Sequence, residues 1–197
     1  MTKDGLRQHL RAATRQGHHN VDHHPLMRPL TAPGLTVKAY GRVLHALLGL
    51  HQPLETAFHQ AHAGLPDLAP FRQLALDRTA LLTRDLSELA ILDPTVPCWN
   101  GTAPTSVAEY VGWRYVVEGS VMGIAMLSPR IRAQLGHHCP LHFFGRTDAA
   151  GWHHFCGLAE TLCPPQQYPA AGQAACRLFA DIADLFTRHL TRHGAMN

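Results

Sequence analysis

The sequence predicts an all-α, single-domain helical bundle. Three observations predict it. Apolar residues recur at spacings of three and four along each long segment. No segment shows a convincing strand pattern. Proline- and glycine-rich turns punctuate the chain between the periodic segments.

At 197 residues the chain is long enough for one domain with a substantial core and short for two. Its content of 46% hydrophobic and 16% charged residues suits a folded globule and excludes a disordered chain. One domain over 1–197 is expected, with 1–5 and 191–197 frayed. The net charge of +3, without a Lys/Arg run or a basic-aromatic platform, speaks against nucleic acid as a partner and suits an acidic small ligand. Sixteen histidines make the protein much more basic below pH ~6.5. Five irregularly spaced cysteines without a C-x-x-C argue against a disulfide scaffold and for a reducing compartment. The N-terminus MTKDGLRQHL has no hydrophobic signal region, and no apolar run approaches ~18 residues. A soluble cytoplasmic protein, away from the membrane, is the expectation.

The first helix runs through Leu10 to Asp22. At about 100° per residue it places Leu6, Leu10, Ala13, Gly17 and Val21 on one apolar stripe. Thr14, His18, Arg11 and Asp22 follow one flank, and His19 points well away. An imidazole at the rim of an apolar stripe, with a small residue before it and a carboxylate four after it, suits axial ligation of heme iron, one ring nitrogen on the metal and the other held by a neighbour. A lone histidine on such a face is more often a core or boundary histidine, so helix geometry alone favours that reading.

Pro25, Pro29 and Thr31 to Gly34 mark a turn-rich linker. From Thr36 to Ala63 apolar positions at three and four predict a long amphipathic helix, kinked by Pro53, with Tyr40 in the core and His45, His51, His59 and His62 on a solvated face. A loop over Leu65 to Pro70 leads to a helix from Phe71 to Leu89, with Arg78, Arg84, Asp85 and Glu88 toward water. Ile91 to Pro104, with three prolines, Gly101 and Trp99, reads as a structured connection.

Thr105 to Leu127 is apolar almost all round and so is expected to be buried on most sides. Gly112, Gly119 and Gly123 share one face of it, although each glycine costs ~1 kcal/mol relative to alanine in a helix interior. Either another helix approaches closely there or a flat ligand lies against the main chain. Ser128 to Gly151 is a helix end plus loop, whose His137, His138, Cys139 and His142 match no structural zinc module. A short helix over Trp152 to Leu162 and a last helix over Ala170 to Leu190 complete the chain.

Two of these helices carry a resemblance. Leu10-Arg11-Ala12-Ala13-Thr14-Arg15-Gln16-Gly17-His18 resembles the proximal motif L-[RK]-x-A-T-x-x-x-H of heme oxygenases. Tyr115 to Gly123, YVVEGSVMG, is similar to the distal motif Y-V-L-E-G-S-x-L-G-G of bacterial members, particularly those associated with bacteriophytochromes. The resemblance extends loosely over most of the chain. It departs at Ile124, where a second glycine is usual, and at Ala125, where a polar or basic residue is common.

The resemblance implies a heme-oxygenase-like bundle with heme between a proximal and a distal helix, opening heme to biliverdin, CO and ferrous iron. His18 is then the proximal iron ligand, oriented by Asp22, with Thr14, Tyr115 and Phe179 lining the heme. Ser120 and the main chain at Gly119 and Gly123 shape the distal side. Arg11 pairs with a propionate, with Arg114 a second candidate. Heme b is substrate and cofactor, and O2 is the oxidant. The sequence contains no flavin or nicotinamide fingerprint, so electrons come from an external ferredoxin- or flavoprotein-type donor. A bacteriophytochrome is the candidate recipient of biliverdin. The alternative, motivated by Ile124, is a protein of the same fold that senses or carries heme without degrading it.

Overall fold

The last helix is the element on which the others are hung. The structure, a computed structural model, describes residues 5–74, 76–93, 95–146 and 148–194, with only the backbone described at 121, 122, 124, 125, 193 and 194. Among these are six α-helices and no strand: α1 (Leu6–Asp22), α2 (Val37–Gly64), α3 (Arg78–Glu88), α4 (Val107–Leu135), α5 (Ala149–Leu162) and α6 (Tyr168–Gly194). Both α1 and α4 pack along α6, α3 packs on α2, and α5 closes against α4. The expected all-α fold class is therefore the observed one.

Glycine sets the spacing of the two main interfaces. A Cβ on Gly112 of α4 would collide with the Ala171 carbonyl oxygen of α6. A Cβ on Gly17 of α1 would lie 2.7 Å from the Phe179 Cβ of α6. The buried face of α1 consists of Leu6, Leu10 and Thr14, while Ala13 is exposed. Thr14 is admitted because its hydroxyl donates to the Leu10 carbonyl at 2.7 Å. Gly5 supplies no side-chain cap to α1. Glu160 of α5 does so instead, accepting from the Leu6 N–H at 3.0 Å.

Pro53 sits inside α2. Lacking an N–H, it leaves the Gly49 carbonyl, four residues earlier, without a helical donor. The Trp99 N–H takes that carbonyl at 2.8 Å, which pins the connection between α3 and α4 to α2. Gly49 permits this approach, since a Cβ there would strike the Pro97 carbonyl. The same connection is held from α6, where His189 Nε2 donates to Pro97 O at 2.9 Å and Arg188 donates to Cys98 O at 3.2 Å. The connection is thus structured, as expected.

Several expectations are corrected by tertiary contacts. The predicted helix over Phe71 to Leu89 is two elements, a 3₁₀ segment Pro66–Gln73 and α3. Its second start is set by Glu55 of α2, whose carboxylate accepts from the Arg78 and Thr79 N–H groups at 2.8 and 3.2 Å. Of the four residues expected toward water, Arg84 and Glu88 are exposed and paired, but Arg78 and Asp85 are buried. Asp85 accepts from the His142 and Phe143 N–H groups at 2.7 and 3.0 Å and so anchors the loop after α4. Burial raises its carboxyl pKa and those two bonds oppose the rise.

The histidine face of α2 is also corrected. His45, His51 and His62 are buried and only His59 is exposed, because α2 is enclosed on nearly all sides. His62 Nε2 meets the Tyr110 hydroxyl at 2.8 Å. Burial holds the His51 pKa well below its usual value, with Arg78 adding to the effect, so the ring stays neutral. Tyr40 is core, as expected, its hydroxyl donating to Pro140 O.

α4 continues beyond Leu127 and through Pro129, ending at Gly136, whose φ of 86° suits glycine. α5 and α6 start a few residues earlier than expected, at Ala149 and Tyr168. α6 runs to Gly194, and Arg192 in its last turns pairs with Asp93 at 3.1 Å. Residues 1–4 lie outside the described residues.

Gly112→Ala should destabilise the fold by about 1–3 kcal/mol because the added methyl meets backbone. Gly157→Ala, in α5 with nothing within 4 Å of a built Cβ, should be neutral or stabilise by up to ~1 kcal/mol. Denaturant unfolding of both variants checks the contrast.

Candidate functional site

The site is built where α1 and α4 meet over α6. Thr14 of α1 neighbours Tyr115 of α4; burial raises the pKa of that phenol, and Thr14 opposes the rise. His18 lies one turn along α1 from this contact. Gly119 and Gly123 lie one and two turns along α4.

His18 is presented to its surroundings, its side chain 60% exposed. Its Nδ1 lies 2.8 Å from Asp22 Oδ2, one turn on. A carboxylate at that distance holds the proton on Nδ1, leaving the lone pair on Nε2, the tautomer a metal-ligating imidazole needs. Behind the ring is Phe179 of α6, in edge contact with a centroid separation of 5.9 Å. Gly17 lets that aromatic ring close on the helix backbone. The carboxylate raises the His18 pKa, chiefly through the hydrogen bond, against partial burial.

The glycine face of α4 divides. Gly112 serves tight packing on α6. Gly119 and Gly123 do not: a Cβ at Gly119 would meet only the Trp152 ring at 3.8 Å, and one at Gly123 would meet nothing within 4 Å. Two glycines in a helix interior facing open space are a propensity cost without a packing return. Trp152 of α5 borders this face, its ring 5.7 Å from that of Tyr115.

Other expected residues are placed differently. Arg11 is exposed and lies within electrostatic reach of Tyr115, lowering its pKa slightly. Arg114 is not available to a propionate: it is fully buried and ion-paired with Glu118 at 2.7 Å. Ser120 turns its hydroxyl toward the back of α4, accepting from Arg78 at 2.9 Å and donating to Val117 O at 2.7 Å. The Ile124 and Ala125 side chains lie outside the described residues. His137 and His138 are exposed, Cys139 and His142 are half-buried, and no cluster of three or more metal-ligating side chains occurs among the described residues.

Sequence reasoning missed Arg78, Glu118 as an ion-pair partner, and Trp152 as a wall. Glu118 and Ser120 stand in the quoted motif on either side of Gly119, which was the one available signal. Nothing local marks Arg78.

The described residues thus form an all-helical scaffold with a carboxylate-paired imidazole on one helix and an open glycine face on another. The family model for heme oxygenase matches residues 4–155, and the chain belongs to the heme oxygenase family. Its fold matches that of the heme oxygenase from Neisseria meningitidis, solved in NO- and CO-bound forms, with a TM-score of 0.73 and 20% identity over 94% of this chain and 92% of that one. No curated protein matches the sequence significantly.

The hydrogen bond to Asp22 favours the protonated ring. The stabilisation it adds is complete below the unfolded value of 6.5 and is lost as pH rises through the raised folded pKa. Asp22→Ala should therefore lower the His18 titration midpoint, measured by NMR on the heme-free chain. An unchanged midpoint would mean that Asp22 does not orient the ring.

Proposed function

We propose that the protein is a heme oxygenase whose heme is gripped between α1 and α4, with His18 as proximal ligand and the Gly119–Gly123 face as distal wall. The observation that carries the reading is the His18–Asp22 pair at 2.8 Å within a chain that belongs to this family. The residues present fit the macrocycle: an imidazole in the ligating tautomer, and a helix face that leaves space where side chains would otherwise stand.

Heme b, once bound, supplies its own iron for oxygen chemistry at the ring edge. The chain's residues perform the rest. Asp22 keeps the Nδ1 proton in place, so His18 would offer Nε2 to the iron. Phe179 and Gly17 hold the ring from behind, and Thr14 and Tyr115 close the joint between the helices. The main chain at Gly119 and Gly123 admits a small ligand beside the macrocycle, and Ser120 keeps that helix segment in position. Arg11, exposed at the rim, pairs with a propionate.

The product is biliverdin, with CO and ferrous iron. O2 is the oxidant, and electrons arrive from a ferredoxin- or flavoprotein-type donor, as the sequence contains no flavin or nicotinamide fingerprint. The YVVEGSVMG motif supports placement with the bacteriophytochrome-associated members, a phytochrome being the receiver of biliverdin. Among the described residues no helix is long and apolar enough to cross a membrane. A cytoplasmic site of action is supported by five cysteines, all free.

Mixing the purified chain with hemin should give a Soret band that His18→Ala abolishes or strongly weakens. Supplying a reductant under air should then convert the band to the broad red absorption of biliverdin. A stable Soret band that never bleaches would identify a heme carrier instead.

A further inference from the structure

Behind the open glycine face lies a buried set of charges that the reaction chemistry does not use. Arg78, at the first turn of α3, is buried and reaches α4 with both terminal nitrogens. One donates to Ser120 Oγ at 2.9 Å and the other to Glu118 Oε2 at 3.4 Å. The second Glu118 oxygen meets Arg114 at 2.7 Å, and that guanidinium lies over the Phe58 ring of α2, 5.3 Å from its centroid. Glu55 of α2 accepts from the Arg78 backbone N–H at 2.8 Å. Two guanidinium groups and two carboxylates are therefore neutralised in a buried cluster shared by α2, α3 and α4.

The placement on α4 is specific. Glu118 and Ser120 immediately flank Gly119, each about 100° around the helix from it, so the two stand on either side of the open face and Arg78 spans between them. On the open side little touches the helix at Gly119 and nothing approaches a Cβ at Gly123. The tight glycine contact with α6, at Gly112, lies two turns earlier. Rotation of α4 at Gly119 is thus set by the groups that flank it, both held by Arg78.

We propose that Arg78 is a positioning residue for the distal helix: by gripping Glu118 and Ser120 on either side of Gly119 from α3, it fixes the rotation that turns Gly119 and Gly123 toward the heme. This rests on the heme-site reading given above. A point charge in place of the guanidinium fork cannot hold carboxylate and hydroxyl together, so lysine is a poor substitute.

The test uses the full chain with Arg78→Met, Arg78→Lys and Ser120→Ala. In heme-free protein, amide hydrogen exchange over 116–123 should speed by about tenfold or more in Arg78→Met and several-fold in Ser120→Ala, while α6 amides at 178–186 keep their protection. Arg78→Lys should restore little of it. In heme-loaded protein the Soret band should persist, and the stretching band of bound CO should broaden. Ser120→Ala removes one hydrogen bond and no charge, so it remains informative if Arg78→Met fails to fold. Unchanged exchange over 116–123, or equal acceleration in α6, would overturn the proposal. Failure of the heme reading itself would show as no Soret band in the unmutated chain, leaving the exchange comparison unaffected.

Discussion

Two helices can share a third only as closely as the side chains between them allow, and in this protein glycine sets that distance. Gly17 brings α1 onto Phe179, and Gly112 brings α4 onto the Ala171 carbonyl. Gly172 of α6 adds to the first contact, with His9 and Ala13 of α1 close to where its Cβ would stand. With both helices drawn onto α6, Thr14 and Tyr115 become neighbours, and the imidazole and the glycine face extend from that joint. A bulkier residue at either contact would open the joint and displace both walls of the site.

The polar groups inside the bundle serve the same end. Helix starts that lack a local cap are capped across the molecule, α1 by Glu160 and α3 by Glu55. The carbonyl released by Pro53 is taken by Trp99. Asp85 receives two backbone N–H groups of the loop after α4. Each bond joins segments far apart in sequence. Breaking one would leave a buried donor or acceptor unpaired, which costs more than the net value of the bond itself.

Around the site, charge is divided between exposed and buried groups with different consequences. His18, Asp22 and Arg11 are exposed, so their pairing is screened and adjustable, which suits groups that meet a ligand. Arg78, Arg114, Glu118 and Glu55 are buried and balance in charge, and losing one member would strand the others in a low-dielectric interior. The segment of α4 that carries the open face is therefore held by buried contacts with α3.

The sequence by itself determined the helical class, the approximate extent of most helices, His18 with Asp22 four residues on, and the glycine face of α4. All of these follow from spacing along one helix, where 3.6 residues per turn links position to direction. Only the tertiary structure decided that Gly112 packs while Gly119 and Gly123 stay open, that Arg114 turns inward, and that Ser120 faces Arg78. It also decided that three histidines of α2 are buried and that the helix predicted from Phe71 restarts at Arg78. The physical reason is the same in each case. A residue's partner there lies on another element, and the burial or capping it provides leaves no periodic trace in the sequence around either one.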